Sequence, residues 1–569
     1  MANVTVLPTE ALLHRLVAHD VAYLFINSGT DHPPLIESIA KLQAEGKKSP
    51  TIINCPHENA AMGMANGYYF ATGKPQAVMV HTNVGLANSV TALINAHCQN
   101  IPTILLGGRT PITEHGHLGS RNTPIGYGQE MRDQAALVRE SVKWDFELRA
   151  PAQMVEHLDR AFAIAQSLPK GPVYLSLPRE PLCEPYLTEE STLLAPSRQQ
   201  PVTYEPSREA LSRAAELLAG AKRPVIMAQR GAGSAAGVAT LAELANAWGV
   251  PVVEFWATEL AIASDDPMAA GGDPQPWLPE ADVLLVIDSL APWVISQVAL
   301  PEGCQVIQLG PDPLFSDFPV RGYAVDVALA GAVEVGLELL QSALQPWLTP
   351  AQVVKNRARQ AQVSQRTQAA RAERLATALA GNGERVSKAF FSHAVGALAE
   401  KHQALLVTEL AVAKEYTGLT RADSYYQEAL SGGLGEGLPI ALGAQLADRT
   451  RLVIAALGDG SYLFGNPAAC QQISAAAALP ILIVIANNAR WGAVAQSVRA
   501  LYPDGYAAKS ADMPAVSLAP TPDFTQLVAA SGGLGLKVRH GNELAAALAE
   551  AVAFIQTERR LALVEVPYL

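Results

Sequence analysis

One local pattern occurs twice in this chain, near each end, and it constrains the fold more than any other feature of the sequence. In the first copy a helical run at 60–71 (AAMGMANGYYFA) leads to an apolar strand at 77–80. A polar turn follows, His81-Thr82-Asn83, then a helix at 86–98 and a strand at 102–106. In the second copy the run 435–447 (GEGLPIALGAQLA) leads to strand 452–457 (LVIAAL). A Gly458-Asp459-Gly460 turn, a helix through 468–478 and strand 481–486 (ILIVIA) complete it. Short unbroken apolar strands alternating with helices read as parallel strands buried on both faces and joined by right-handed crossovers. Two similar α/β domains are therefore predicted, one near each end.

Between them, a Pro- and Gln-containing stretch at 194–206 reads as a linker. A third α/β unit follows, with strands 224–228 and 283–287 and a helix at 238–248. Its glycine-rich turn, 231–237 (GAGSAAG), approximates a dinucleotide fingerprint, but the third glycine comes one residue late. That favours an empty cleft over FAD or a nucleotide there. The polar segment 350–380 reads as a surface helix leading to the last domain. The predicted fold class is α/β with three doubly wound parallel-sheet domains, at 1–190, 205–345 and 375–569.

Composition narrows the function classes. The chain has 569 residues, 49% hydrophobic and only 17% charged, enough to bury several cores. A formal charge of −12 without a basic cluster argues against nucleic acid as a partner. The longest apolar run, 475–486, is too short to cross a bilayer. No charged-then-apolar leader opens the sequence, which predicts a cytoplasmic protein without a signal peptide. Five scattered cysteines without CxxC spacing predict reduced thiols and no zinc site.

The second copy of the repeat carries the chemistry. After Gly458-Asp459-Gly460 come 26 residues, then Asn487-Asn488. Two adjacent buried strands thus deliver a carboxylate and a carboxamide to one carboxyl edge, where open α/β sheets bind ligands. Such oxygen donors suit Mg²⁺, which completes its octahedron with phosphate oxygens and water. The glycines let backbone approach a phosphate.

This constellation resembles the signature of the thiamine diphosphate (ThDP) superfamily, and specifically the benzoylformate decarboxylase, pyruvate decarboxylase and acetolactate synthase group. The resemblance spans nearly the whole chain, strongly at both ends and weakly in the middle. It implies an N-terminal pyrimidine-binding domain, a middle Rossmann-like domain and a C-terminal diphosphate-binding domain. It implies Mg²⁺ held by Asp459, Asn488 and the backbone carbonyl of Arg490. Gly458, Gly460 and Ser461 would line the diphosphate. Gly432 would offer its carbonyl to the pyrimidine amine and Leu434 would wedge beneath the bent cofactor. Glu58 would hydrogen-bond the pyrimidine ring nitrogen; read alone, it is equally a helix-start carboxylate stabilised by the macrodipole. His81 would move a proton, a task suited to a group that titrates near neutrality, although a strand-end histidine held by backbone fits the residue alone. Thr30 matches a serine that binds the substrate carboxylate, and Gln129 falls near a glutamine used beside the cofactor. His115 and His117 lie near a paired-histidine site of pyruvate decarboxylases but are not adjacent here, so a solvated loop fits them as well.

Two departures matter. The middle-domain histidine of benzoylformate decarboxylase has no counterpart in 291–296 (APWVIS), and the acceptor-selecting tryptophan of acetolactate synthase is replaced by Ser497. The resemblance implies a ThDP- and Mg²⁺-dependent non-oxidative decarboxylase of a 2-oxo acid with carboligase capability. An acetolactate synthase-like carboligase acting on 2-oxo acids or aldehydes is the alternative. A non-catalytic ThDP-binding partner subunit is a third possibility. The family pattern further implies a homodimer or homotetramer with sites at the dimer interface.

Overall fold

A computed structural model describes residues 3–121 and 123–569. It contains three six-stranded sheets, each parallel throughout, and one two-stranded antiparallel ribbon pairing Asn3–Val6 with Tyr186–Glu189. The first sheet is built from β1 (Tyr23–Ile26), β2 (Thr51–Asn54), β3 (Ala77–Val80), β4 (Ile104–Arg109), β5 (Asp145–Glu147) and β6 (Val173–Pro178), in the order β2-β1-β3-β4-β6-β5. The middle sheet has β7 (Pro224–Ala228), β8 (Val252–Val253), β9 (Ala269–Gly271), β10 (Val283–Ile287), β11 (Gln305–Gly310) and β12 (Val327–Ala330). Its order, β9-β8-β7-β10-β11-β12, is that of a dinucleotide-binding fold. The last sheet comprises β13 (Leu405–Glu409), β14 (Tyr425–Gln427), β15 (Val453–Gly458), β16 (Leu482–Asn487), β17 (Leu534–Lys537) and β18 (Ala562–Pro567). Its order, β14-β13-β15-β16-β18-β17, repeats the first sheet strand for strand. The duplicated sequence pattern is thus a duplicated topology.

The physical cause is visible in the central strands. Val453–Leu457 and Leu482–Ala486 are buried at every residue, as strands covered by helices on both faces must be. Helices α1 (Glu58–Thr72) and α2 (Thr82–Cys98) cover the first sheet; α3 (Ala235–Trp248) packs in the middle unit. The segment Pro350–Ala380 is one continuous helix, α4, opened by proline after a Thr349 cap and stopped at Gly381. It is not wholly a surface element, because Asn356, Val363, Thr367 and Ala378 are buried.

Helix α5 (Gly437–Ala447) packs directly against α1 and joins the two terminal domains into one core. Glycines make this close approach possible. A Cβ at Gly67 would lie 2.1 Å from the Ile440 carbonyl, and one at Gly443 would lie 2.1 Å from that of Met64.

Several boundaries differ from the sequence reading at the edge that matters. Gly458 and Asn487 are themselves strand residues, and Asp459 opens a short helix, α6 (Asp459–Phe464), rather than a turn. Helix α7 (Pro467–Ala477) then precedes β16. Helix α2 begins at Thr82, not at residue 86, so the polar residues after His81 form its first turn. Backbone N–H groups at a helix start want acceptors, and here they face the carboxyl edge of the sheet. Among the described residues no helix is long and apolar enough to cross a membrane.

Candidate active site

The C-terminal half of the site forms where β15 and β16 end side by side, with Gly458 opposite Ala486. Asp459 is 2% exposed. Burial holds its carboxyl above the usual range, against backbone N–H groups of Gly460, Ala489 and Asn488 that favour the charge. Its Oδ2 is buried and has no partner among the described residues. The two asparagines divide their work. Asn487 donates to Glu565 Oε1 at 2.9 Å and accepts the Ala489 N–H at 3.0 Å, fixing the loop. Ala489, at φ +53°, turns the chain so that Asn488 follows the strand end. Asn488 Oδ1 accepts only the nearby Arg490 N–H, at 3.1 Å, and Arg490 is exposed. A buried unpaired carboxylate oxygen beside an amide oxygen is a hard-cation donor set, so these residues fit Mg²⁺. Ser461 turns its hydroxyl toward Glu409 rather than leaving it free for a phosphate. A Cβ on Gly460 would meet the Trp491 ring at 2.3 Å, so the indole lies directly against this turn.

The loop before α5 is held from two sides. Glu409, at the end of β13, accepts the N–H groups of Gly435 at 2.6 Å and Gly437 at 2.8 Å. Burial pushes this carboxyl up to about 7. Asn95 of α2 bonds Ser431 Oγ at 2.6 Å and the Gly433 carbonyl at 2.8 Å. Gly432 protrudes between these anchors at φ +67°, a conformation that suits glycine, and it is exposed. Leu434 is half-buried.

The N-terminal half gathers at the start of α2. Glu58 is 7% exposed and accepts Asn88 Nδ2 at 3.1 Å. A Cβ on Gly85 would sit 2.9 Å from Glu58 Oε1, so the glycine makes room for the carboxylate. His81 immediately precedes α2. Its Nδ1 bonds Asp31, which is 1% exposed, and its Nε2 accepts Gln129 Nε2 at 3.0 Å. Gln129 Oε1 accepts Arg121 Nη2 at 3.1 Å, which fixes the amide orientation and so leaves the His81 proton on Nδ1. Arg121 Nη1 also donates to Thr30 Oγ1 at 2.6 Å. Burial works to raise the Asp31 carboxyl, but the bond to His81 and the neighbouring imidazoles outweigh it and hold it low. Next to His81, Thr82 sits at φ +43°, rare for a β-branched residue. Asp31 Oδ2 accepts its N–H at 3.3 Å and helps to hold this strained corner, which aims His81.

Thr30, His81 and Gln129 therefore form one network with Asp31 and Arg121, and the Glu58 carboxylate, from the start of α1, meets α2 about a turn further along, at Gly85. The Gly432 loop is bonded to α2 at Asn95, seven residues beyond Asn88. At 1.5 Å per residue, that is about 10 Å from the helix position beside Glu58. His115 and His117 lie apart on an exposed loop, where His117 pairs with Glu184 at 3.3 Å.

The middle domain contributes a wall. A cavity of about 370 Å³ separates it from the last sheet, lined by Trp256, Val294, Leu410, Val412 and Gln427. Val294 belongs to the stretch without histidine, but the lining also carries Glu254, Asp273, Lys388, Lys414 and Glu415, so the wall mixes apolar and charged side chains. In front of the glycine-rich turn, Arg230 pairs with Asp288 at 3.3 Å and lies over Phe315. The space left there, about 20 Å³, has room for about one water and none for a dinucleotide.

Asp31, Arg121, Glu409, Asn88 and Asn95 escape sequence reading. Asp31 adjoins Thr30, and Asn95 is a polar residue on an otherwise buried helix face; these are the only local hints.

Comparison with known proteins fits the geometry. Models of the thiamine pyrophosphate enzymes match the chain in three parts: the N-terminal TPP binding domain over 8–137, the central domain over 211–340 and the C-terminal TPP binding domain over 407–566. The chain belongs to this family of ThDP-dependent enzymes. A probable 2-ketoarginine decarboxylase of Pseudomonas aeruginosa is 29% identical over 496 residues, covering 84% of this chain and 80% of that protein. Benzoylformate decarboxylase of the same organism is 27% identical over 528 residues, covering 90% of each. The solved ThDP-dependent 4-hydroxybenzoylformate decarboxylase of Rhodococcus jostii superposes with a TM-score of 0.78 at 23% identity, covering 99% of both chains.

Proposed function

We propose that this protein is a ThDP- and Mg²⁺-dependent non-oxidative decarboxylase of a 2-oxo acid, with carboligase capability. The observation that carries the reading is the hydrogen-bonded chain Asp31–His81–Gln129, about one helical turn from Glu58. When bound, ThDP supplies the carbon nucleophile and the electron sink. Asp459, Asn488 and the Arg490 carbonyl would hold the metal, and the turn at Gly458–Ser461 the diphosphate. Glu58 would share a proton with the pyrimidine ring. His81, oriented by Asp31, has its Nε2 directed at Gln129 rather than locked on backbone, and can exchange a proton there. The decarboxylase names among the relatives agree with this chemistry. The cavity beside Trp256 and Val294, with its mixed apolar and charged lining, would take the substrate side chain.

Assembly belongs to the same reading. The family resemblance supports a site built from Glu58 of one subunit and Gly432, Asp459 and Asn488 of another, which predicts at least a homodimer. Cytoplasmic location is part of the same proposal.

The alternative, an acetolactate synthase-like carboligase, is favoured by Gln129, whose amide touches His81, and opposed by Ser497. A screen of 2-oxo acids with ThDP and Mg²⁺, following CO₂, aldehyde and acyloin, decides between them. Aldehyde as main product supports the proposal; acetolactate from pyruvate without free aldehyde overturns it. His81→Ala sharpens the test. Aldehyde release should fall on the order of 10²–10⁴-fold, and acyloin formation with added aldehyde should fall less.

A further inference from the structure

Arg121 brings into the network a charge with no direct ion-pair partner among the described residues. Its guanidinium donates to Thr30 and to Gln129, both neutral. Its Nε is buried without a partner among the described residues and packs toward Gly126, where a Cβ would approach to 3.3 Å. A cation held by neutral groups, with donors left over, is a receptor for an anion, and the planar fork of arginine matches a carboxylate. The loop that carries it also exposes Leu118, Ile125 and Tyr127, at 84%, 65% and 55%.

We propose that Arg121 is the anchor for the carboxylate of the substrate, with Thr30 as its neutral partner; the inference rests on the reading that the substrate is a 2-oxo acid. Its kinetic signature follows from the chemistry. During decarboxylation, negative charge leaves the carboxylate as the C–C bond breaks, its electron pair passes to the substrate carbon, and CO₂ departs neutral. A guanidinium on that carboxylate stabilises the ground state at least as much as the transition state. The contact therefore belongs to binding, not to the chemical step. His81 has the opposite signature, because it works after CO₂ has left.

The test compares wild type with Arg121→Met and Arg121→Lys. In Arg121→Met, KM for the 2-oxo acid should rise about 10–100-fold, the scale of a lost charge-assisted contact, while kcat holds or rises. Joining of two aldehydes, which carry no carboxylate, should suffer far less than turnover of the acid. Arg121→Lys should recover part of the affinity. A fall in kcat at constant KM, or an equal loss in aldehyde joining, overturns the anchor and makes Arg121 a positioning residue for Gln129 and His81. The inference also has a test that does not depend on the substrate. A 2-hydroxy acid, an unreactive mimic, should inhibit aldehyde joining about tenfold or more weakly in Arg121→Met. Unchanged inhibition overturns the anchor even if the wild type decarboxylates no 2-oxo acid, an outcome that by itself would refute only the proposed function.

Discussion

Gly85→Ala isolates the position of one carboxylate. The new methyl would stand 2.9 Å from Glu58 Oε1, 3.3 Å from Val80 Cβ and 3.5 Å from Glu58 Cγ. An unstrained contact needs roughly 3.5 Å, so the carboxylate must retreat by about half an ångström. A misplacement of 1 Å can cost about 10²-fold in rate; half of that displacement should cost on the order of tenfold. Stability should move the other way. Gly85 lies in the first turn of α2, and alanine there gains up to about 1 kcal/mol of helix propensity. That gain offsets the tight contact with Val80. The assay is hydrogen–deuterium exchange at C2 of bound ThDP, with thermal melting alongside. We expect exchange to slow about tenfold, ThDP to remain bound and the melting temperature to hold or rise. Full replacement, Glu58→Gln, sets the floor at a loss of at least ~10²-fold. Exchange at the wild-type rate in Gly85→Ala would refute the claim that the placement of Glu58 drives this proton transfer.

Two further predictions follow from the buried charges and the divided site. Burial first, and then the charge of Glu409, push the Glu428 carboxyl up to about 8, far above the roughly 4.3 of an unfolded chain. The folded state thus holds an extra proton between those values, so stability should fall as pH rises toward about 8. In Glu428→Gln, whose amide oxygen can still accept the Leu410 N–H, melting temperatures from pH 6 to 9 should fall less steeply than in wild type; parallel slopes would remove the assignment. Mixing Glu58→Gln chains with Asp459→Ala chains under subunit exchange should restore part of the activity, since one hybrid site regains both residues. No recovery despite proven exchange would place the whole site in one chain.

Much of this architecture was legible because it rests on local patterns. Val453–Leu457 and Leu482–Ala486 are apolar without interruption, so they read as central parallel strands. Pro350 and Gly381 bracket α4, and both ends of that helix were visible. The short outer strands were not: Tyr425–Gln427 and Leu534–Lys537 contain too few residues to show a period. The exact edge was blurred as well. Asp459 starts a helix because Gly458 ends a strand in extended conformation, and neither propensity announces that junction. At the candidate site, Thr30, Glu58, His81 and Gln129 could be picked out by resemblance. The residues that join them could not. Asp31, Arg121, Asn95 and Glu409 act through contacts between loops and helices distant in sequence, which only the folded chain brings together. The Glu409 carboxylate, for instance, organises a glycine loop 26 residues away by accepting the Gly435 N–H.

The most direct test of the central claim uses Trp491, whose ring lies against Gly460 at the presumed diphosphate site. ThDP is titrated into the metal-stripped protein with and without Mg²⁺ while tryptophan fluorescence is followed, in wild type, Trp491→Phe and Asp459→Ala. The account predicts saturable quenching that requires Mg²⁺, that is largely lost with Trp491, and that disappears in Asp459→Ala because the diphosphate then faces no fixed cation. Equal ThDP affinity without a divalent metal, or unchanged affinity in Asp459→Ala, would contradict it.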